Sequence, residues 1–516
     1  MKRIFLLTII FGLFSCDGNI INKSSQNKAE LAFFWEDLSE VDLNTDFLIS
    51  KDETVQLKIV AKTKNGSKDY VSSSLSSETI VSLSIENSEI ITITPLSSGR
   101  TTLEVISDSD LKVFLDLVVF KETLINLGEE NKLSASGQTG GDYFGSTVAL
   151  FNNYLAVGAE YNQERQEGAV NQGVVYLYEK NDSFWDEKGK IAPEEHSNEH
   201  FGCSVAMSEN YLIVGAKSES DELKTATGAA YVYKLENSTW VQKAHLTASD
   251  GRGSDYFGES VAISSEYALV GAASRSETKP GSGAIYFYKN DNDTWQETQK
   301  ICPEDLGEDK GFGSFTLLSK SYAVITSYPY HGRQNSIYIY KRDYSVWIEQ
   351  QKLDGLLSYG EQDFSPFRAT VSMDKEEKYL IIGDPYCRKK IDGDLSENVG
   401  TVYLYKNNGY SWELEVELLR KDPKEEERFG HAVAIHGDFA LISAPGENQF
   451  SGSVYLFKKY KTGWVQELKF KLASGKTFDW FGRAVSLYNS NLIMTGYCPS
   501  YEGGEEIGFA YFYNLE

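Results

Sequence analysis

Short apolar runs separated by polar turns fill the chain from about residue 122 to its end. In the stretch that begins at Phe257, FGESVAISSEYALVGAA holds two such runs joined by a tight polar turn. GAIYFYKNDNDTWQETQKI holds two more, joined by a turn rich in Asn and Asp. This is the pattern of short strands bounded by turn residues. Residues 31 to about 121 alternate with period two and lack the 3.6-residue helical period. Val55, Leu57 and Ile59 alternate with Gln56 and Lys58, and Asn65-Gly66 marks a hairpin turn. Further strands are predicted over 80–85, 90–94, 101–105 and 112–120, so this stretch reads as a small β-sandwich.

The longer stretch is a repeat. Phe-Gly recurs at 144, 201, 257, 312, 429 and 481, with gaps of 57, 56, 55, 117 and 52 residues. The gap of 117 hides one degenerate unit. Trp recurs at 185, 240, 295, 347, 412 and 464, and four of these stand 17 residues before the next Phe-Gly. The same step from Trp347 reaches Phe364-Ser365, which predicts the missing unit there. Four short strands per unit is the content of one propeller blade. The seventh unit ends at Tyr511-Phe512-Tyr513 without a Trp strand. Leu133 stands 11 residues before Phe144, as Leu246 stands before Phe257. Residues 122–136 are therefore expected to supply the last blade's fourth strand and close the ring, removing exposed sheet edges.

Phe-Gly followed by VGA resembles the FG-GAP repeats of integrin α-chains and many bacterial surface proteins. The bacterial forms DxFGxSVAI, LVVGAP, GxVYVY and W…KLTASD all have near copies here. The resemblance spans some 390 residues and implies an all-β fold, a seven-bladed propeller of four-stranded blades over 122–516. ITITPLSSGRTTLEV, in the smaller stretch, resembles bacterial Ig-like group 2 modules, which implies that 31–121 is a spacer sandwich.

At the front, Met1-Lys2-Arg3 precedes an apolar run from Ile4 to Phe14, about half of the ~20 residues that span a bilayer. A basic start before a short apolar run reads as a secretory signal over 1–15. Leu13-Phe14-Ser15-Cys16 resembles the bacterial lipobox, which implies lipidation at Cys16 and a lipid-anchored place in the cell envelope, at the outer membrane or cell surface. Residues 16–30 are polar and read as a flexible tether.

Charge narrows the partners. The formal net charge is −25, and −27 once Lys2 and Arg3 leave with the signal. Such a chain is repelled by nucleic acid phosphates and anionic headgroups, so no nucleic acid partner is expected and the membrane is reached through the lipid alone. Cys203, Cys302, Cys387 and Cys498 lack the close spacing of a zinc site and are expected as isolated thiols. No cofactor is expected. Calcium would need oxygen-rich loops, and only the fragments Asp392-Gly393-Asp394 and Asp291-Asn292-Asp293 approach one. The six histidines show no HExxH spacing, and no nucleophile elbow or phosphate loop appears, so a non-enzymatic protein is expected.

The repeated Trp, Phe-Gly and Tyr pairs, which recur at fixed phase, are expected to pack blades together rather than to form a carbohydrate platform. Asp142, Asp255 and Asp479 are expected to cap turns. Strands in a blade run antiparallel, so the 2–3 and 4–1 loops share one face. These loops are long and variable, and function gathers on such loops. Those of blades four, five and seven carry the candidate anchors Tyr328, Tyr330, His331, Arg333, Tyr386, Arg388, Tyr497 and Tyr501, residue types favoured at binding hot spots. The expected function is binding or adhesion to a protein or glycan partner. The alternatives are a structural or assembly role in the envelope and, third, a propeller hydrolase.

Overall fold

The computed structural model describes residues 123–138, 140–161, 172–193, 200–220, 226–276, 280–304, 311–327, 336–354, 370–391, 394–420, 423–460, 463–473, 475–498 and 507–515, and strand positions alone before residue 123. The chain divides into two units. One comprises Met1–Thr123 with Lys458–Glu467, and the other Leu124–Phe457 with Leu468–Glu516. In the first, Val55–Lys62, Val81–Glu86 and Ile90–Pro95 lie in one sheet. Phe47–Ser50, Val71–Leu75, Gly99–Ser107 and Lys112–Phe120 lie in another. The lipobox, the tether and Cys16 lie outside the described residues.

The second unit is a seven-bladed propeller. Its innermost strands are Thr147–Phe151, Phe201–Ser208, Ser260–Ile263, Phe315–Leu318, Thr370–Met373, Val433–His436 and Val485–Tyr488. Each of the first five blades is a four-stranded antiparallel sheet in chain order. Second strands such as Tyr211–Ala216 and Tyr267–Ala272 are buried at every position. Both of their faces meet a neighbouring blade, which is why they read as unbroken apolar runs. Outermost strands alternate instead, as Phe184–Ile191 does, because one face meets solvent. Between third and outermost strands the register slips once, at Leu177/Tyr178, Val232/Tyr233, Phe287/Tyr288, Ile339/Tyr340 and Leu404/Tyr405. A bulge at the same place in five blades adds twist to each.

The repeated aromatics pack the ring. Four of the six recurring Trp meet, edge-on, the Tyr that opens the second strand of the preceding blade. Tyr154–Trp240, Tyr211–Trp295, Tyr267–Trp347 and Tyr322–Trp412 have centroids 6.0, 5.5, 5.6 and 5.3 Å apart. Gln299 and Gln351 clasp the backbone of the next blade's Trp347 and Trp412 through both amide atoms, at 2.8–3.0 Å. The two recurring glycines permit close backbone approach. A Cβ on Gly215 would lie 2.0 Å from the Gly258 carbonyl oxygen, and one on Gly258 (φ +89°) would lie 2.1 Å from that of Ala229. Thr147, Ser204, Ser260 and Thr370 each donate a hydroxyl hydrogen bond to the Phe-Gly glycine carbonyl of the next blade, at 2.6–3.2 Å.

Two sequence expectations shift. Thr370 holds the place that Thr147, Ser204 and Ser260 hold three residues after their Phe. Counting back reaches Phe367-Arg368, not Phe364-Ser365, so the fifth unit carries three extra residues before its Phe. Phe364 and Phe367 both lie outside the described residues. Ring closure is also divided. Thr123–Leu127 lies on the outer edge of the sixth blade, against Gly463–Leu472. After a 3-10 turn at Glu129–Asn131, Lys132 bridges Tyr511, and the Leu133 N–H donates to Ala510 O at 2.9 Å. Tyr178 then donates to Ser134 O at 2.6 Å, as Tyr288 donates to Thr247 O at 2.8 Å in the third blade. Leu133-Ser134 thus reproduces Leu246-Thr247, while the strand before it reinforces the neighbouring blade.

Candidate binding site at the loop-side mouth of the channel

Inner strands place alternate side chains toward the axis. They line a cavity of about 450 Å³. Its waist is a ring of one residue per blade: Val148, Val205, Val261, Thr316, Val371, Val433 and Val485. Leu150, Met207, Ile263, Leu318 and Leu487 continue the apolar wall toward the short turns. At the opposite end, where the long loops gather, the lining turns polar with Ser146, Cys203, Glu259, Ser314 and Arg483. These stand immediately after Phe-Gly in their units.

The residue just before each Phe crowns the same mouth in an unusual backbone state. Tyr143, His200, Tyr256, Gly311, Arg428 and Trp480 have φ of 56°, 53°, 54°, 52°, 56° and 45°. Side chains other than glycine pay roughly 1–2 kcal/mol for this left-handed conformation. It is held in place by the acid before it. The Asp255 carboxylate accepts from the Arg252 N–H at 2.7 Å, Glu427 from Lys424 at 2.8 Å and Asp479 from Lys476 at 2.7 Å. These acids cap their turns, as expected for Asp255 and Asp479.

The crowning side chains form two clusters. In one, Tyr143 stacks on Tyr497 at 4.7 Å and meets Tyr161 at 4.7 Å, and Tyr161 meets His200 edge-on at 4.8 Å. Glu160 faces His200 Nδ1 at 3.7 Å and Lys217 Nζ at 3.2 Å. Burial pushes the Glu160 carboxyl up, but His200 and Lys217 outweigh it and hold it below its ordinary value. In the other, the Arg428 guanidinium lies 5.4, 5.3 and 5.2 Å from the rings of Tyr386, Phe450 and Trp480, and Phe450 stacks on Trp480 at 4.7 Å. Beside Arg428 and Arg483, His431 is pushed down to about 3, first by burial and then by the two guanidiniums, and stays neutral.

Sequence comparison covers part of this geometry. The family model described as FG-GAP repeat matches 127–178, 185–233, 240–288 and 412–457. Four stretches of the propeller are FG-GAP repeats. Solved structures with similar folds include the periplasmic gluconolactonase of Pseudomonas aeruginosa, 10% identical, covering 73% of this chain and 94% of that one with a TM-score of 0.43. The β-propeller domain of the trilobed protease of Pyrococcus furiosus is 10% identical, with 72% and 96% covered and a TM-score of 0.40. Neither likeness bears on function. No curated protein matches.

The propeller places the expected anchors unevenly. Tyr328, Tyr330, His331, Arg333 and Tyr501 lie outside the described residues. Tyr497 stands at the mouth, in the Tyr143 stack and 5.8 Å from the Arg483 guanidinium. Tyr386 is 3% exposed and lies under Arg428, so it supports the site from beneath rather than presenting a surface. Arg388 pairs with Glu397 at 2.7 Å, away from that cluster's contacts. Counting aromatic residues in loops missed Tyr143, His200, Arg428, Trp480 and Arg483. Their shared signal was phase, since each flanks Phe-Gly. Of the calcium fragments, Asp293 is engaged by Lys234 at 2.8 Å and by Tyr211, while Asp392 and Gly393 lie outside the described residues. Cys203, Cys302, Cys387 and Cys498 carry free thiols.

Proposed function

We propose that this FG-GAP propeller is a non-enzymatic binding protein of the cell envelope, anchored through a lipid on Cys16. Residues 31–121 act as a spacer, and the long-loop face engages a protein or glycan partner without a cofactor. The observation that carries the reading is the crown of Tyr143, His200, Arg428, Trp480 and Tyr497. All of these but Tyr497, which lies in a strand, are bulky aromatic or basic side chains in a backbone state that favours glycine. Strain of this kind persists where the surroundings enforce it, and it clusters at binding sites. The opposite face offers tight two-residue turns such as Asn237-Ser238, with φ of 47° and 63°.

The test compares two faces. Arg428→Ala with Trp480→Ala alters the crown, and Asn237→Gly with Tyr344→Ala alters the turn face. On a glycan array and against surface extracts, the crown variant is expected to lose at least tenfold in binding while the turn variant keeps the parent's. Equal binding by all three proteins, or loss through the turn face, would refute the assignment. Protease added to intact cells is expected to cleave the propeller, and full protection would contradict a surface location.

A further inference from the structure

The channel itself is chemically lopsided. Its waist is six valines and one threonine, and its polar end carries Arg483. Arg428 and Lys217, near the same mouth, each have a carboxylate partner, at 3.5 and 3.2 Å. Arg483 has no carboxylate partner among the described residues, and its guanidinium faces the Tyr497 ring at 5.8 Å. In a chain with 75 acidic and 50 basic residues, a half-buried guanidinium left without a carboxylate stands out. Apolar cavities of roughly 300–1,000 Å³ with a few placed polar groups are the usual form of small-molecule sites.

We propose that the axial channel binds a straight-chain aliphatic monocarboxylate, its carboxylate on Arg483 and its chain running down the valine waist. Two complementarities select this class. Arg is the side chain best shaped to take a carboxylate through two parallel N–H donors. Below it the side chains of the waist offer a single hydroxyl, that of Thr316, so the polyhydroxyl face of a sugar would find few side-chain partners at that level. From Arg483 to Leu487 the strand rises roughly 13 Å, which accommodates a chain of about eight to ten carbons. Glu259, three blades away around the ring, lines the same end and opposes an anion. This ligand is separate from the partner of the loop face, and either reading can fail alone.

The probe is octanoate, titrated calorimetrically into the full chain carrying Cys16→Ser, so that neither lipid nor detergent enters the assay. Saturable binding at one site is expected, with octylamine and acetate at least tenfold weaker. Arg483→Met is expected to weaken octanoate at least tenfold, Arg483→Lys to keep the charge without the paired donors and fall between the parent and Arg483→Met, and Glu259→Gln to tighten it. Val148→Phe and Val261→Phe, which fill the waist from different blades, are expected to abolish it. Melting curves identify any variant that fails to fold, and Arg483→Lys then carries the comparison. Absent octanoate binding, equal affinity in Arg483→Met, or acetate binding as tightly as octanoate would overturn the proposal.

Discussion

Asp384 occupies a position where other blades place a buried alanine. Ala159, Ala216, Ala272 and Ala444 end the equivalent second strands, all at 0% exposure, and Asp384 is equally buried. Neither of its carboxyl oxygens has a hydrogen-bond partner of good geometry. Burial pushes its carboxyl up to about 8 from an ordinary 3.8, against the pull of the Tyr386 and Cys387 amides and Lys389. The folded chain therefore holds a proton that the unfolded chain releases above pH 4. This group's contribution is fully favourable below about 4, falls as pH rises, and levels off above about 8. Asp384→Ala is expected to stabilise the propeller by roughly 1–3 kcal/mol at pH 8. The gain should shrink toward pH 5. Melting temperatures of the two proteins across that range are the measurement, and a gain independent of pH would reject the account.

At the scale of strands, the outermost strand adds its own join between blades. Trp347 is 2% exposed, edge-on to Tyr267 and stacked 5.3 Å from Phe287, both in the preceding blade. Trp347→Ala should cost about 3–5 kcal/mol, as large aromatic truncations in cores do. Tyr344, in the turn just before it, is 94% exposed, and Tyr344→Ala should fall within about 0.5 kcal/mol of the parent. Chemical denaturation of the two variants separates packing from display, and a neutral Trp347→Ala would revive the idea of an aromatic platform. Strand content was legible because the repeat imposes one apolar pattern seven times. The fifth unit was misplaced because constant Trp-to-Phe spacing assumes constant loop length, and loops are where insertions are tolerated. The crown was overlooked for a related reason. Residues beside a recurring packing pair look structural, and only the left-handed backbone separates Trp480 or Arg428 from the core that they flank.

At the scale of the whole ring, closure rests on a short stretch of chain used twice. Ile125 and Leu127 extend the sixth blade's core, while Leu133 fills the seam between the seventh and first blades beside Ile493, Ala510 and Tyr178. The seventh blade has three strands of its own, so its outer edge depends on the Lys132–Tyr511 bridge and on the hydrogen bond from Leu133 to Ala510. A closed ring has no free junction, and opening one exposes apolar surface on two blades at once. Substitution at the seam should therefore act far beyond its own contacts. Leu133→Asp places a carboxylate at a site 4% exposed and is expected to strip hydrogen-exchange protection from the first and seventh blades together, with a lower and broader thermal transition. Ile125→Asp, on the reinforcing strand, should lower protection in the sixth blade and leave the seam intact. If the two variants lose protection in the same blades, the chain before Phe144 is one indivisible clamp rather than a brace followed by a latch.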